Sequence, residues 1–258
     1  MRTVVITGAA SGLGKAIANY YAIQQWRVVI ADIQDQAGKE VVEDIRIRGG
    51  MAYYFHCNIG KPKDIFDLAR FTEETTGECH LLINNAGVAS AGTLMQSDEA
   101  EWHRMINLDL MSCVRCSMAF IPLLKYSASE SSPNAIVNIA SLAGLALMPS
   151  MITYNVTKAA VIALSESLRG ELKRDHIHVA AACPSFFKTN LTSSMITSDQ
   201  ATINRVNGWM EKSALTADSV ARDIAEGVAK GEILILSDQK LKRYLALMGW
   251  LYTKIFRK

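Results

Sequence analysis

Thr3-Val4-Val5-Ile6-Thr7-Gly8-Ala9-Ala10-Ser11-Gly12-Leu13-Gly14 stands near the start of the chain and decides how the rest is read. Val4-Val5-Ile6 is a β-branched apolar run with the character of a buried strand. Gly8, Gly12 and Gly14 then mark a turn, and a helical pattern begins at Leu13. Glycine tolerates positive φ and lets the backbone come close to a ligand. A helix starting here offers unpaired N–H groups and the positive end of its dipole, a natural seat for a pyrophosphate. Gly8, Ser11, Gly12, Leu13 and Gly14 are therefore candidate cofactor-binding residues. A plain glycine-rich turn would look similar; the strand before it and the helix after it give this one its weight.

Outward from that turn the same rhythm repeats. Residues 28–31, 52–55, 81–83, 136–139, 179–183 and 233–236 are further short apolar runs. Helical patterns separate them at 36–48, 64–75, 98–124, 154–174 and 217–230. The runs are apolar throughout rather than alternating, as expected where helices cover both faces of a parallel sheet. The expectation is an α/β fold: a Rossmann-type doubly wound parallel sheet of about seven strands. No linker or repeat divides it, so residues 1–258 read as a single domain.

Composition narrows the function. Hydrophobic residues make up 50% of the 258 and charged residues 20%, which excludes global disorder. The net charge of +2 gives no reason to expect a nucleic-acid partner. Cys57, Cys79, Cys113, Cys116 and Cys183 form no metal-binding framework, and no metal is expected. An odd number of thiols suits a reducing compartment. With no signal-peptide pattern and no apolar run of about 18 residues, a cytoplasmic location is expected.

Asp32 ends the second strand, about twenty residues beyond the glycines. A carboxylate there can accept hydrogen bonds from both ribose hydroxyls of NAD and would repel the 2′-phosphate of NADP. Neither Ser11 nor Ile33 offers that phosphate a cation, and Lys15, which lies nearby, reads equally well as a solvated helix residue, so NAD is favoured. Tyr154 and Lys158 are four apart and share one helix face. An ammonium beside a phenol stabilises phenolate, and a phenol so tuned can exchange a proton with an alcohol or carbonyl. Ser141 ends the fifth strand and Asn84-Asn85-Ala86-Gly87 follows the fourth, both at the sheet edge where open parallel sheets bind ligands.

Taken together, these motifs resemble the short-chain dehydrogenase/reductase superfamily in its compact single-domain branch, over essentially the whole chain. Thr7 to Gly14 is similar to the family's TGxxxGxG turn, and Asn84 to Gly87 to its NNAG motif. Ser141, Tyr154 and Lys158 match its Ser and YxxxK positions, and Pro184 to Thr189 its PGxxxT stretch. The resemblance implies that Tyr154 is the general acid/base and that Lys158 tunes it and binds the nicotinamide ribose. It implies that Ser141 hydrogen-bonds the substrate oxygen, and that Asn107 is the asparagine that holds a water in a proton relay. It implies cofactor contacts from Asn85, Ala86, Gly87, Pro184, Phe187 and Thr189. Asn58, with Ile59 beside it, stands where the family commonly has an Asp that binds adenine, and Ser185 replaces the usual Gly after Pro184.

Residues 190–213 fall where the family keeps its substrate lid, and they carry Leu191, Met195, Ile196, Val206, Trp209 and Met210. Leu142, Leu145, Leu147 and Met148 follow Ser141, and Phe186 and Phe187 complete an apolar set. This suits a lipophilic secondary alcohol or ketone, although the same residues could pack on the protein body. Residues 240–258 read as a basic amphipathic helix with six Lys or Arg and no acid. Peripheral membrane contact, packing on the lid and burial between subunits all fit it. Second apolar stripes on 98–124 and 151–174 point to a homodimer or homotetramer, since the family pairs such helices. The expected activity is hydride transfer between NAD and a secondary alcohol or ketone. The alternatives are a catalytically silent dinucleotide-binding regulator, disfavoured by the intact Ser, Tyr and Lys, and an NADP-linked ketone or acyl-carrier reductase, disfavoured by Asp32.

Overall fold

The computed structural model of the protein describes residues 1–187, 195–196 and 200–237. Seven parallel strands form one sheet in the order β3-β2-β1-β4-β5-β6-β7. They are β1 (Thr3–Thr7), β2 (Arg27–Asp32), β3 (Met51–His56), β4 (Leu81–Asn84), β5 (Asn134–Ile139), β6 (Ile177–Ala182) and β7 (Leu234–Ile235). β1, β4 and β5 are buried along their whole length, which explains their unbroken apolar character.

Alternate residues of each strand feed two cores. Val4, Ile6, Val28, Ile30, Leu81 and Ile83 pack under α1 (Gly12–Ile23), α2 (Asp35–Ile47) and α9 (Ala217–Ala229). Val5, Val29, Leu82, Ile136 and Val179 pack under α3 (Pro62–Thr76), α5 (Ser112–Ser127) and the end of α7 (Ile152–Leu172). Burying side chains of this size stabilises by about 1.5–3 kcal/mol each. All five cysteines are free and buried, in line with core packing.

The chain leaves β1 towards β2 and β3, then returns to the other side of β1 with β4. This reversal opens a crevice at the carboxyl ends of β1 and β4, where ligands of doubly wound sheets bind. One long helix escapes the sequence periodicity. The stretch read as one helix over 98–124 is α4 (Glu99–Met105), a π-helical turn (Ile106–Met111) and α5. The short α6 (Ala143–Ala146) and α8 (Gln200–Glu211), inside the expected lid, complete the helices described. Thr189, Leu191 and the 240–258 segment lie outside the described residues.

Candidate active site

The glycine turn is built as its sequence demands. Gly8 and Gly12 adopt φ of +66° and +52°, and Gly8 N–H donates to Ala31 O at 2.7 Å, lashing the turn to β2. A Cβ on Gly14 would lie 2.2 Å from Gly8 O and 2.6 Å from Asn85 Nδ2, so only glycine lets α1 seat this closely. Asn85 spans the same turn, donating to Thr7 O at 2.9 Å and Gly8 O at 3.1 Å. Thr7 Oγ1 in return accepts from Asn85 N and Ala86 N, both at 3.0 Å. The start of α1 has no side-chain cap and no acid in its first turn, which leaves its N–H groups open to an anion.

Asp32 is 7% exposed at the end of β2. Its Oδ2 accepts from Ala10 N at 2.9 Å and its Oδ1 from Gln34 N at 3.0 Å. Oδ1 also accepts from Gln34 Nε2 at 3.5 Å, while Oδ2 has a second lone pair, so Asp32 latches the turn and keeps acceptor capacity. Lys15 pairs with Asp44 of α2 at 3.7 Å. Asn58 Oδ1 accepts from Gly60 N at 2.9 Å, which fixes its carboxamide on the crevice wall.

At the other end of the crevice stand Ser141, Tyr154 and Lys158. A Cβ on Gly144 would come within 2.9 Å of the backbone of Lys158 and Ala159, so this glycine lets α6 lie directly on α7. That contact brings Tyr154 to the crevice wall that Ser141 shares, where Ser141 Oγ accepts from Ala143 N at 3.1 Å. Lys158 Nζ donates to Ile139 O at 3.1 Å, and it sits 5.6 Å from the centre of the Tyr154 ring. Burial pushes the Tyr154 phenol above its usual value, while the Lys158 charge pulls the other way. Burial alone would lower Lys158, but the Asp109 carboxylate and the phenol outweigh it and raise it.

Asn107 Nδ2 donates to Gly60 O at 3.3 Å, and its Oδ1 accepts from Arg115 at 2.7 Å. Asp109, two residues on, is the residue brought to Lys158, with Oδ2 3.2 Å from Nζ. The π-helical turn carries both residues and aims Asp109 into the site. The missed signal was the stripe Met105, Asp109, Cys113, Cys116 and Phe120, all buried: an acid interrupting an apolar face.

The crevice encloses about 580 Å³. Gly8, Ser11, Gly12, Leu13, Asp32, Asn58 and Ile59 line one end, with Asn85, Ala86 and Gly87 behind them. Ser141, Tyr154, Lys158, Pro184 and Phe187 line the other. Of the apolar residues expected at the substrate, Leu142, Phe186, Met195, Val206 and Met210 reach it. Ile196 instead pairs with the chain after β4, bonding Ala89 O at 2.9 Å and Ala91 N at 3.1 Å, and Leu145 packs into the body. Trp209 lies against Phe186, ring centres 5.0 Å apart. Ser185, in place of glycine, also sits on the wall. Arg104 and Leu108 of the α4 and π-helical segments and Gln34 after β2 join the lining, which the sequence motifs did not indicate.

The glycine cradle, the uncapped helix start and the Asp32 carboxylate fit a nicotinamide dinucleotide along this crevice. Comparison with known proteins agrees. The short chain dehydrogenase family profile matches residues 2–200. An uncharacterized oxidoreductase of Thermotoga maritima is 33% identical over 183 residues, covering 71% of this chain and 70% of its own. The 3-oxoacyl-(acyl-carrier-protein) reductase FabG of Staphylococcus epidermidis is 29% identical, over 75% of this chain and 78% of its own. A short-chain dehydrogenase/reductase of Burkholderia phymatum in complex with NAD superimposes with a TM-score of 0.88 at 28% identity, over 95% of this chain and 92% of its own. One from Sphingobium yanoikuyae in complex with NADPH gives 0.83 at 26% identity, over 99% of this chain and 95% of its own. The chain is a nicotinamide-dependent oxidoreductase and belongs to the short-chain dehydrogenase/reductase family.

Proposed function

We propose that the protein is an NAD-linked dehydrogenase or ketone reductase for lipophilic secondary alcohols and ketones, with Tyr154 as its general acid/base. The observation that carries this reading is the convergence of Ser141, Tyr154 and Lys158 on one end of the crevice. A bound nicotinamide supplies or takes up the hydride. Tyr154 exchanges a proton between its phenol oxygen and the substrate oxygen. Lys158, held as ammonium, favours the phenolate form that accepts the proton. Ser141 donates a hydrogen bond to the same substrate oxygen and stabilises the charge that builds there. A dinucleotide-binding regulator would have no use for a buried phenol set against an ammonium.

NAD is supported over NADP by Asp32, by its uncharged neighbours Ile33 and Gln34 on the wall, and by the engagement of Lys15 with Asp44. The lipophilic substrate is supported by Leu142, Phe186, Met195, Val206 and Met210. The relationship to a 3-oxoacyl reductase favours one second reading, reduction of a 3-oxoacyl thioester.

The test is NADH and NADPH titration by nicotinamide fluorescence, followed by turnover on 2-alkanols of increasing length and on acetoacetyl thioester. NADH should bind more tightly, and kcat/KM should rise roughly fourfold per methylene, from about 0.8 kcal/mol of transfer free energy each. Efficiency that is flat with chain length would refute the lipophilic site, and thioester turnover far above every alkanol would favour the second reading. Tyr154→Phe should lower kcat by about 10²–10⁴, the usual contribution of a general acid/base, while NADH binding stays within about twofold. Retained turnover would overturn the assignment of Tyr154.

A further inference from the structure

The geometry points to Asp109 as a positioning residue of this reaction: its carboxylate fixes the Lys158 ammonium beside Tyr154 and offsets part of the positive charge that reaches the phenol. The inference rests on the proposed role of Tyr154 as acid/base.

Asp109 has no exposed side-chain surface and Lys158 has 7%, and the two approach to 3.2 Å. Asp109 Oδ1 accepts from Val88 N at 2.8 Å, which anchors the carboxylate to the segment after β4. Its Oδ2 is enclosed and receives no aligned hydrogen bond, so its interaction with Nζ is chiefly electrostatic. Lys158 is thus held from two sides, by Ile139 O of β5 and by Asp109 of the π-helical turn. A neutral asparagine here could keep the Val88 bond but would leave the ammonium charge undiminished. Burial pushes the Asp109 carboxyl up while the Lys158 charge and the Val88 N–H hold it down, and as a carboxylate it offsets part of that charge.

The remaining titratable groups around the pair do not supply that charge. Tyr154 faces it from α7. Cys113 of α5 donates its Sγ proton to the Asp109 carbonyl at 3.3 Å, and burial pushes its thiol up to about 11. Cys183, after β6, faces Tyr154 and Lys158, and burial pushes it up to about 12. Both thiols stay neutral at working pH. Asp109 and Lys158 therefore act on the phenol in opposite directions, Asp109 raising it and Lys158 lowering it.

The test compares wild type with Asp109→Asn, which keeps an acceptor for Val88 and removes the charge, and with the smaller Asp109→Ser. Two readouts are followed: kcat/KM against pH for 2-octanol oxidation with NAD, and an ultraviolet difference titration of the phenol against matched Tyr154→Phe proteins. The limb that reports the base should move to lower pH by about one unit in both variants, so the rate below it rises about tenfold. The phenol of the cofactor-free protein should titrate lower by a similar amount. Circular dichroism melts establish which variants are folded, and the phenol titration needs no substrate. A limb and a phenol titration that stay put in a folded variant would overturn the inference. Turnover by Tyr154→Phe would instead sink the reading beneath it, so the two failures are distinguishable.

Discussion

Asp32 latches the glycine turn in this structure and is the acceptor proposed for the ribose, and substitution can separate the two. One oxygen accepts from Ala10 N in the glycine turn and the other from Gln34 N beyond β2. Ala10 is 5% exposed, whereas Gln34 lies on the surface where water can take over. Asp32→Ala strands the buried Ala10 N–H, at about 1–3 kcal/mol. Asp32→Asn can turn its single carbonyl oxygen to Ala10 and present its amide to the solvent side, so it escapes most of that loss. At about 2–4 °C per kcal/mol for a chain of this size, the alanine variant should melt roughly 2–12 °C below wild type and the asparagine variant within about 3 °C of it. Both lose the charged acceptor proposed for the ribose. A hydrogen bond to a charged group is worth about 1.5–3 kcal/mol, so NADH should bind about 10- to 150-fold more weakly, and the preference over NADPH should shrink. Melting curves and nicotinamide fluorescence read the two effects independently. Equal melting points for the two variants would refute the latch. Unchanged NADH affinity in both would refute the ribose role.

Two further outcomes follow from the same geometry. Gly14→Ala places a methyl group 2.2 Å from Gly8 O, forcing overpacking of about 1–3 kcal/mol that is partly offset by about 1 kcal/mol of helix propensity; a lowered melting point with weakened NADH binding is expected, and wild-type values for both would show that α1 is not seated this closely. Lys158 is raised in the fold above its unfolded value of about 10.4, so its contribution is fully present below about pH 10 and lost as pH rises through the folded value. Lys158→Met should therefore melt below wild type at pH 8, with the gap narrowing above pH 10; a gap constant with pH would contradict the raised value.

The sheet and the cofactor end were legible in the sequence because their physics is local. Unbroken apolar runs announce parallel strands, and glycines between a strand and a helix announce the turn. The end proposed as catalytic was legible through Ser141, Tyr154 and Lys158, whose spacing survives folding as one helix face and one strand end. Asn107 shows where such reading stops short. Residue type and rough position favoured it, but a π-helical turn follows no sequence periodicity, and it sets which side chain points inward. The stripe from Met105 through Asp109 to Cys113 carried the right phase, yet an acid on an apolar face is easily passed over in favour of a nearby asparagine. The contact of α6 with α7 was also hidden, since Gly144 and Lys158 meet only in three dimensions.

Overall similarity cannot choose the cofactor, because structural relatives of nearly equal likeness are found with NAD and with NADPH. The NAD proposed for this chain rests instead on a few atoms at the end of β2. The carboxylate of Asp32 is anchored by two backbone N–H groups, so it cannot swing aside to admit a 2′-phosphate without breaking both bonds. The same anchoring holds it in place before any ribose arrives, so little ordering entropy is lost on binding. Asp109 repeats this design at the other end of the crevice, with one oxygen bonded to a backbone N–H and the other left to act electrostatically. In both places a backbone donor fixes a carboxylate so that its charge acts in one direction. The first supports selection of the cofactor, and the second bears on the proton affinity of Tyr154.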